Sequence, residues 1–137
     1  MSPRTRKWLL FWGPAIAYLA LIFALSSIRV VRIPVVKFTM ADKVLHAIEY
    51  AGLTAVLFRA LRFTRRPWLY RWAALVALGL ASLYGATDEV HQFYVGRSAD
   101  AGDWLADTIG AALMAAALLA YTELHPDPPP QWREHGD

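Results

Sequence analysis

The sequence contains no cysteine, which removes disulfides and thiolate metal sites from consideration and leaves the redox compartment open. It also lacks charge over a long stretch. Residues 8–28 carry no charged side chain for 21 positions, enough at 1.5 Å per residue to cross a hydrocarbon layer of roughly 30 Å as a helix. Sustained polar and apolar alternation is missing, which argues against a transmembrane β-barrel. No cysteine nucleophile exists, Ser98 has no evident base near it in sequence, and no dense metal signature such as H-E-x-x-H occurs.

The apolar residues, 57% of the 137, come in blocks rather than spread as a soluble core requires. Three more follow the first, at residues 44–61, 68–87 and 104–122, interrupted near their ends by His46, Glu49, Arg59, Arg71 and Asp107. Each is near the length of a span, and in lipid the backbone must satisfy its own polar groups, so each reads as a helix. The expectation is an all-α integral membrane protein with four transmembrane helices. Residues 1–7 form a basic N-terminus, 29–41 an extended loop carrying Pro34, and 123–137 a Pro-rich, disordered tail.

The net charge of +3 is not a nucleic-acid signal, because the basic residues flank the apolar blocks and read as topology determinants. Arg4, Arg6 and Lys7 precede the first block; Arg59, Arg62, Arg65, Arg66 and Arg71 cluster about the loop between the second and third. With Arg133 these make nine inside, against five outside: Arg29, Arg32, Lys37, Lys43 and Arg97. Both termini are then cytoplasmic. Aromatic residues mark the two boundaries, with Trp8, Trp12, Trp68, Tyr70, Trp72 and Tyr121 at the inner one and Phe38, Tyr84, Phe93, Tyr94 and Trp104 at the outer. Ala77, Ala81 and Gly85 recur every four residues, and Ala106, Gly110 and Met114 do so less perfectly, a spacing that lets the third and fourth spans approach closely.

Topology also gathers the polar residues. Asp42, His46 and Glu49 share one helix face with Tyr50 beside them where the second span opens. Asp88, Glu89, His91 and Gln92 follow where the third ends, and Asp103 and Asp107 stack one turn apart where the fourth begins. All three ends meet at the outer boundary. Seven carboxylates (Asp42, Glu49, Asp88, Glu89, Asp100, Asp103, Asp107) face only Lys43 and Arg97 there, so some must be paired, protonated, hydrated or bound to a cation. In a scaffolding reading, Asp103 caps the fourth helix, Asp42 the second, and Arg97 pairs with Asp103 or Asp107. In a metal reading, His46, His91 and Asp88, with Glu49 or Asp107, hold a divalent ion such as Zn²⁺ or Mn²⁺. The same groups suit acid/base chemistry.

The segments "ADKVLHAIEYAGLTAVLF" and "YGATDEVHQFYVGRSADAGDWLADTIGAAL" resemble the VanZ-like family of small bacterial membrane proteins. Its motifs run D-K-x-x-H-x-x-x-Y and later D-E-x-H-Q, a G-R-S loop and D-x-x-x-D-x-x-G. The resemblance covers about residues 41–113 and carries over to Asp42, Lys43, His46 and Tyr50, then Asp88, Glu89, His91, Gln92, Arg97, Asp103, Asp107 and Gly110. Val95 stands where members often have proline. The family's namesake is associated with low-level resistance to the lipoglycopeptide teicoplanin. The resemblance therefore implies a multi-pass protein of the bacterial cytoplasmic membrane with a cell-envelope role. Its expected partners are membrane lipids and a lipid-linked, lipophilic or lipoglycopeptide envelope ligand, with Arg97 as the contact for a phosphate or carboxylate.

Overall fold

The computed structural model describes residues 2–28, 40–64, 66–96 and 99–126. Its elements are helices α1 (Pro3–Ser27), α2 (Met40–Arg62), α3 (Pro67–Arg71), α4 (Ala73–Tyr94) and α5 (Ala101–Leu124), with no strand among the described residues. All but the five-residue α3 are long and apolar enough to cross a membrane, so the chain is a four-span, all-α membrane protein.

The helices run past the apolar blocks at their polar ends. The second starts at Met40 rather than residue 44, the last at Ala101 rather than 104, and the third continues to Tyr94 rather than stopping at 87. A hydropathy boundary falls at the first ionisable residue, whereas a helix ends where its backbone hydrogen bonds find other partners. The third block also divides at Trp72, leaving α3 as a separate turn that begins with Pro67 in its first helical positions. The loop expected at 29–41 lies outside the described residues up to residue 39, as does the tail from residue 127.

Side-chain contacts fix the directions. Phe11 stacks on Phe63 and Tyr18 Oη donates to the Glu49 carbonyl at 3.0 Å, so α1 and α2 are antiparallel. Tyr84 Oη donates to the Leu19 carbonyl at 2.8 Å while His91 meets Ser27, and Ser82 bonds Thr108 while Glu89 meets Asp100, which sets α4 parallel to α1 and antiparallel to α5. The polar ends of α2, α4 and α5 therefore lie at one end of the bundle and Arg59, Arg62 and Arg71 at the other.

The core is narrow. Tyr50, Leu53, Leu57 and Leu61 of α2 pack with Ala73, Ala77 and Ala81 of α4, Ala111 of α5, and Ala15 and Ile22 of α1. Leucine and isoleucine side chains such as Leu21, Leu83 and Leu113 are exposed instead, as expected of a surface solvated by lipid, where small residues make the interfaces. Of the small-residue rows, Ala77, Ala81, Gly85, Ala106 and Gly110 are buried, whereas Met114 is only half-buried and Ala115 beside it takes the buried place. Gly110, however, serves the contact of α5 with α2 rather than with α4: a Cβ built there falls on the backbone of Ala47.

Candidate functional site at the polar end of the bundle

That backbone approach positions the site. With α2 and α5 nearly touching at Ala47 and Gly110, His46 beside the one and Asp107 a turn before the other face each other across the seam. His46 Nδ1 lies 2.9 Å from Asp107 Oδ1, and its Nε2 is 3.9 Å from Asp103 Oδ1. Lys43, a further turn toward the end of the bundle, donates to Asp100 Oδ2 at 2.6 Å and to Asp103 Oδ1. Asp107 is 1% exposed and Asp103 4%, so these carboxyls depend on α2 for their partners.

Helix α4 supplies the third side. Gly85 lets it close: a Cβ there would stand 3.1 Å from Asp107 Oδ2 and 3.2 Å from the Tyr50 ring. Beyond it Gln92 Nε2 donates to Asp88 Oδ2 at 2.8 Å, and Glu89 Oε2 accepts the Asp100 backbone N–H at 2.8 Å. Helix α4 ends at Val95 with Gly96 at φ +80°, the left-handed conformation that favours glycine at a helix C-terminus.

Two sequence expectations are corrected by these contacts. Asp100, not Asp103, caps α5, its Oδ1 accepting the Gly102 N–H at 2.8 Å, and Asp103 is thereby freed to face Lys43. Asp42 lies inside the first turn of α2 rather than at its cap. The pairing of Arg97 with Asp103 or Asp107 concerns a residue outside the described set, as is Ser98; the partners observed for those carboxyls are Lys43 and His46.

His91 takes a different direction from His46. Its Nε2 is 3.0 Å from Ser27 Oγ and its ring packs on Phe23 at 4.5 Å between centroids, so it ties α4 to α1. The sequence had no means of finding this, because Phe23 and Ser27 belong to a span whose residues look like anonymous lipid-facing filler.

The VanZ/LLP1 family profile matches residues 6–122. This chain belongs to the VanZ/LLP1 family. The match takes in α1 as well as the three helices that build the polar end. Comparison with curated proteins and with solved structures finds no match.

In this VanZ/LLP1 protein the residues best arranged for a cation are Asp42, His46 and Asp103, whose ligand atoms lie within 4.8 Å of one another. His91 and Asp88, grouped with His46 on sequence grounds, are not in that set. Lys43 already donates to Asp103, so a metal ion would compete with an ammonium for the same carboxylate. Two buried side-chain atoms have no hydrogen-bond partner among the described residues: Tyr50 Oη and Glu89 Oε1. Leaving such a group unpaired costs on the order of 1–3 kcal/mol, and both sit on helices that carry the His46–Asp107 pair or close upon it.

The Lys43–Asp100 bond gives a pH dependence. Lys43 first, and then the Gly102 N–H, hold the Asp100 carboxyl below the ordinary aspartate value of 3.8. A folded-state value below the unfolded one contributes stability that is present above the ordinary value and is lost as pH falls through the lowered one. Thermal unfolding in detergent should thus show an acid limb below about pH 4, and Asp100→Asn should flatten it. An identical acid limb in the Asn variant would show that this bond does not hold the start of α5.

Proposed function

We propose that this VanZ/LLP1 membrane protein binds a lipid-linked or lipophilic molecule of the cell envelope at the polar end of α2, α4 and α5, from the outer side of the cytoplasmic membrane. The observation that carries the reading is the pair of unpartnered buried atoms, Tyr50 Oη and Glu89 Oε1, beside the bonded Lys43–Asp103 and His46–Asp107 pairs. A ligand hydroxyl or amine can donate to Glu89, and Tyr50 can donate to a ligand oxygen, so binding recovers interactions that the protein alone forgoes. The exposed apolar rim supports a lipophilic partner: Phe93, Tyr94, Trp104 and Leu45 stand beside the polar groups at headgroup depth. A link to teicoplanin-type resistance follows from the same reading, since that lipoglycopeptide has a polar head on an apolar tail.

The test is binding of teicoplanin, and separately of a polyprenyl-phosphate-linked sugar, to the full chain in nanodiscs. Retention of at least one probe is expected, with affinity about tenfold or more weaker in Tyr50→Phe, which keeps the ring in the core and removes only the hydroxyl. Retention of neither probe, or equal retention by the Phe variant, would contradict the reading.

A second reading has its own observation. Asp107 on His46 Nδ1 orients an imidazole as carboxylates orient general bases, with Nε2 facing Asp103 at 3.9 Å and outside hydrogen-bond distance of it. In that case the protein is a membrane acid/base enzyme, with or without a divalent metal, acting on an envelope lipid. The two readings separate by product: mass spectrometry of the bound probe recovers it intact from a binding protein and altered from an enzyme.

A further inference from the structure

The polar end of the bundle is short of positive charge. Among the described residues its basic side chains are Lys43, His46 and His91, and each is engaged: Lys43 with Asp100 and Asp103, His46 with Asp107, and His91 with Ser27. Asp42, Glu49, Asp88 and Glu89 form no ion pair among these residues. Glu89 is the extreme case. It is 9% exposed, its Oε2 accepts the Asp100 N–H at 2.8 Å, and its Oε1 has no hydrogen-bond partner.

Glu89 shares its surroundings with the other unpartnered atom, Tyr50 Oη. Gly85, Asp88, Glu89 and Gln92 are buried on α4, and at Gly85, one turn before Glu89, that helix meets Asp107 Oδ2 and the Tyr50 ring. Glu89 lies within electrostatic reach of Asp103, Asp107 and His46, and Tyr50 within reach of Asp107, Asp88 and Glu49. An anion brought here meets repulsion from several carboxylates at once, and a neutral donor bonds Glu89 Oε1 without offsetting its charge. A protonated amine does both. The chain itself supplies the precedent: the Lys43 ammonium, on its alkyl stem, bonds Asp100 and Asp103, and Gly102 leaves it room, since a Cβ there would stand 3.0 Å from Nζ.

Resting on the reading that this end binds an envelope amphiphile, we propose that the head it recognises is a primary ammonium, bonded to Glu89 Oε1 with Tyr50 Oη as a second acceptor, and that the ligand is an amine-bearing lipid. A primary ammonium combines one positive charge with three N–H donors on a narrow stem. A trimethylammonium keeps the charge without the donors, and an N-acetylated head keeps a donor without the charge. The exposed rings of Phe93 and Tyr94 at the end of α4 give the lipid chains an apolar surface beside the head.

The experiment uses the full chain in detergent with phosphatidylethanolamine, its N-acetyl derivative or phosphatidylcholine added singly, and native mass spectrometry to count the lipid retained. Phosphatidylethanolamine should be held about tenfold better than the N-acetyl derivative, as expected of one hydrogen bond between charged groups, and better than phosphatidylcholine. Glu89→Gln keeps an acceptor for the Asp100 N–H and removes the charge, so it should bring phosphatidylethanolamine down to the level of the N-acetyl derivative, with circular dichroism checking that helicity is unchanged. Equal retention of phosphatidylethanolamine and its N-acetyl derivative by the wild type would overturn the ammonium and leave lipid binding at this end standing. Retention of no lipid would overturn both. An undiminished preference in Glu89→Gln would remove Glu89 from the site and overturn the proposal. Displacement of the lipid by an equal concentration of glycerophosphoethanolamine would assign the site to a free amine and overturn the lipid.

Discussion

Gly110→Val should remove most of the protein from the membrane fraction and prevent recovery of a stable bundle in detergent. The Cβ of any residue at 110 falls on the backbone of Ala47, and a backbone cannot turn aside as a flexible side chain can. Helices α2 and α5 would have to separate along the seam that holds Lys43 to Asp103 and His46 to Asp107. Overpacking alone costs up to about 3 kcal/mol or more, and losing the paired polar groups adds on the order of 1–3 kcal/mol for each one stranded. Against a total stability of about 5–15 kcal/mol that is a severe loss. Gly79→Ala and Gly13→Ala are the controls, since a Cβ at either position meets nothing within 4 Å. They should change stability by about 0.5 kcal/mol or less. Comparable damage from all three substitutions would mean that these helices tolerate no added methyl, and the seam would lose its special role.

The four spans were legible because lipid imposes one requirement along a span, which the run at 8–28 meets without a charge and the run at 104–122 with Asp107 alone, near its start. The gathering of Asp42, His46, Asp103 and Asp107 was legible from helix direction. Which of them pair was not. The pairing of Lys43 with Asp103 depends on where Gly110 lets α5 sit against Ala47, a distance that no periodicity encodes. The same is true of His91: its position near the end of α4 suggested company with His46, but the facing surface there belongs to α1, whose Ser27 and Phe23 receive it. Asp100 was counted as a charge and not as a site residue, although it joins all three elements by accepting from Lys43 and Gly102 and donating its N–H to Glu89.

The second large effect is expected at His46. His46→Asn should abolish the envelope phenotype in a strain lacking the native protein, with teicoplanin or cell-wall stress as readout, while leaving protein level close to wild type. Asparagine can still donate to Asp107 near the place of Nδ1, so the buried carboxyl keeps a partner, but the far side of the imidazole is gone. His46→Ala should lose both function and level, because it leaves Asp107, 1% exposed, without its bond. His91→Ala should retain most activity, since it severs only the tie of α4 to Ser27 and Phe23. Full activity in His46→Asn, or an equal loss in His91→Ala, would show that the His46–Asp107 pair is not the working centre.

The proposed function requires the polar end to face the exterior, an orientation expected from the nine-to-five distribution of Lys and Arg along the sequence. Because the chain has no cysteine, one introduced thiol reports one position without a background. Ala99→Cys lies beside the Asp100 cap at the polar end, and Thr64→Cys lies at the arginine end after α2. With a membrane-impermeant thiol reagent on intact cells, position 99 should label at once and position 64 only after permeabilisation. Labelling of position 64 from outside, with position 99 silent until the membrane is opened, would invert the protein and contradict an envelope site at its polar end.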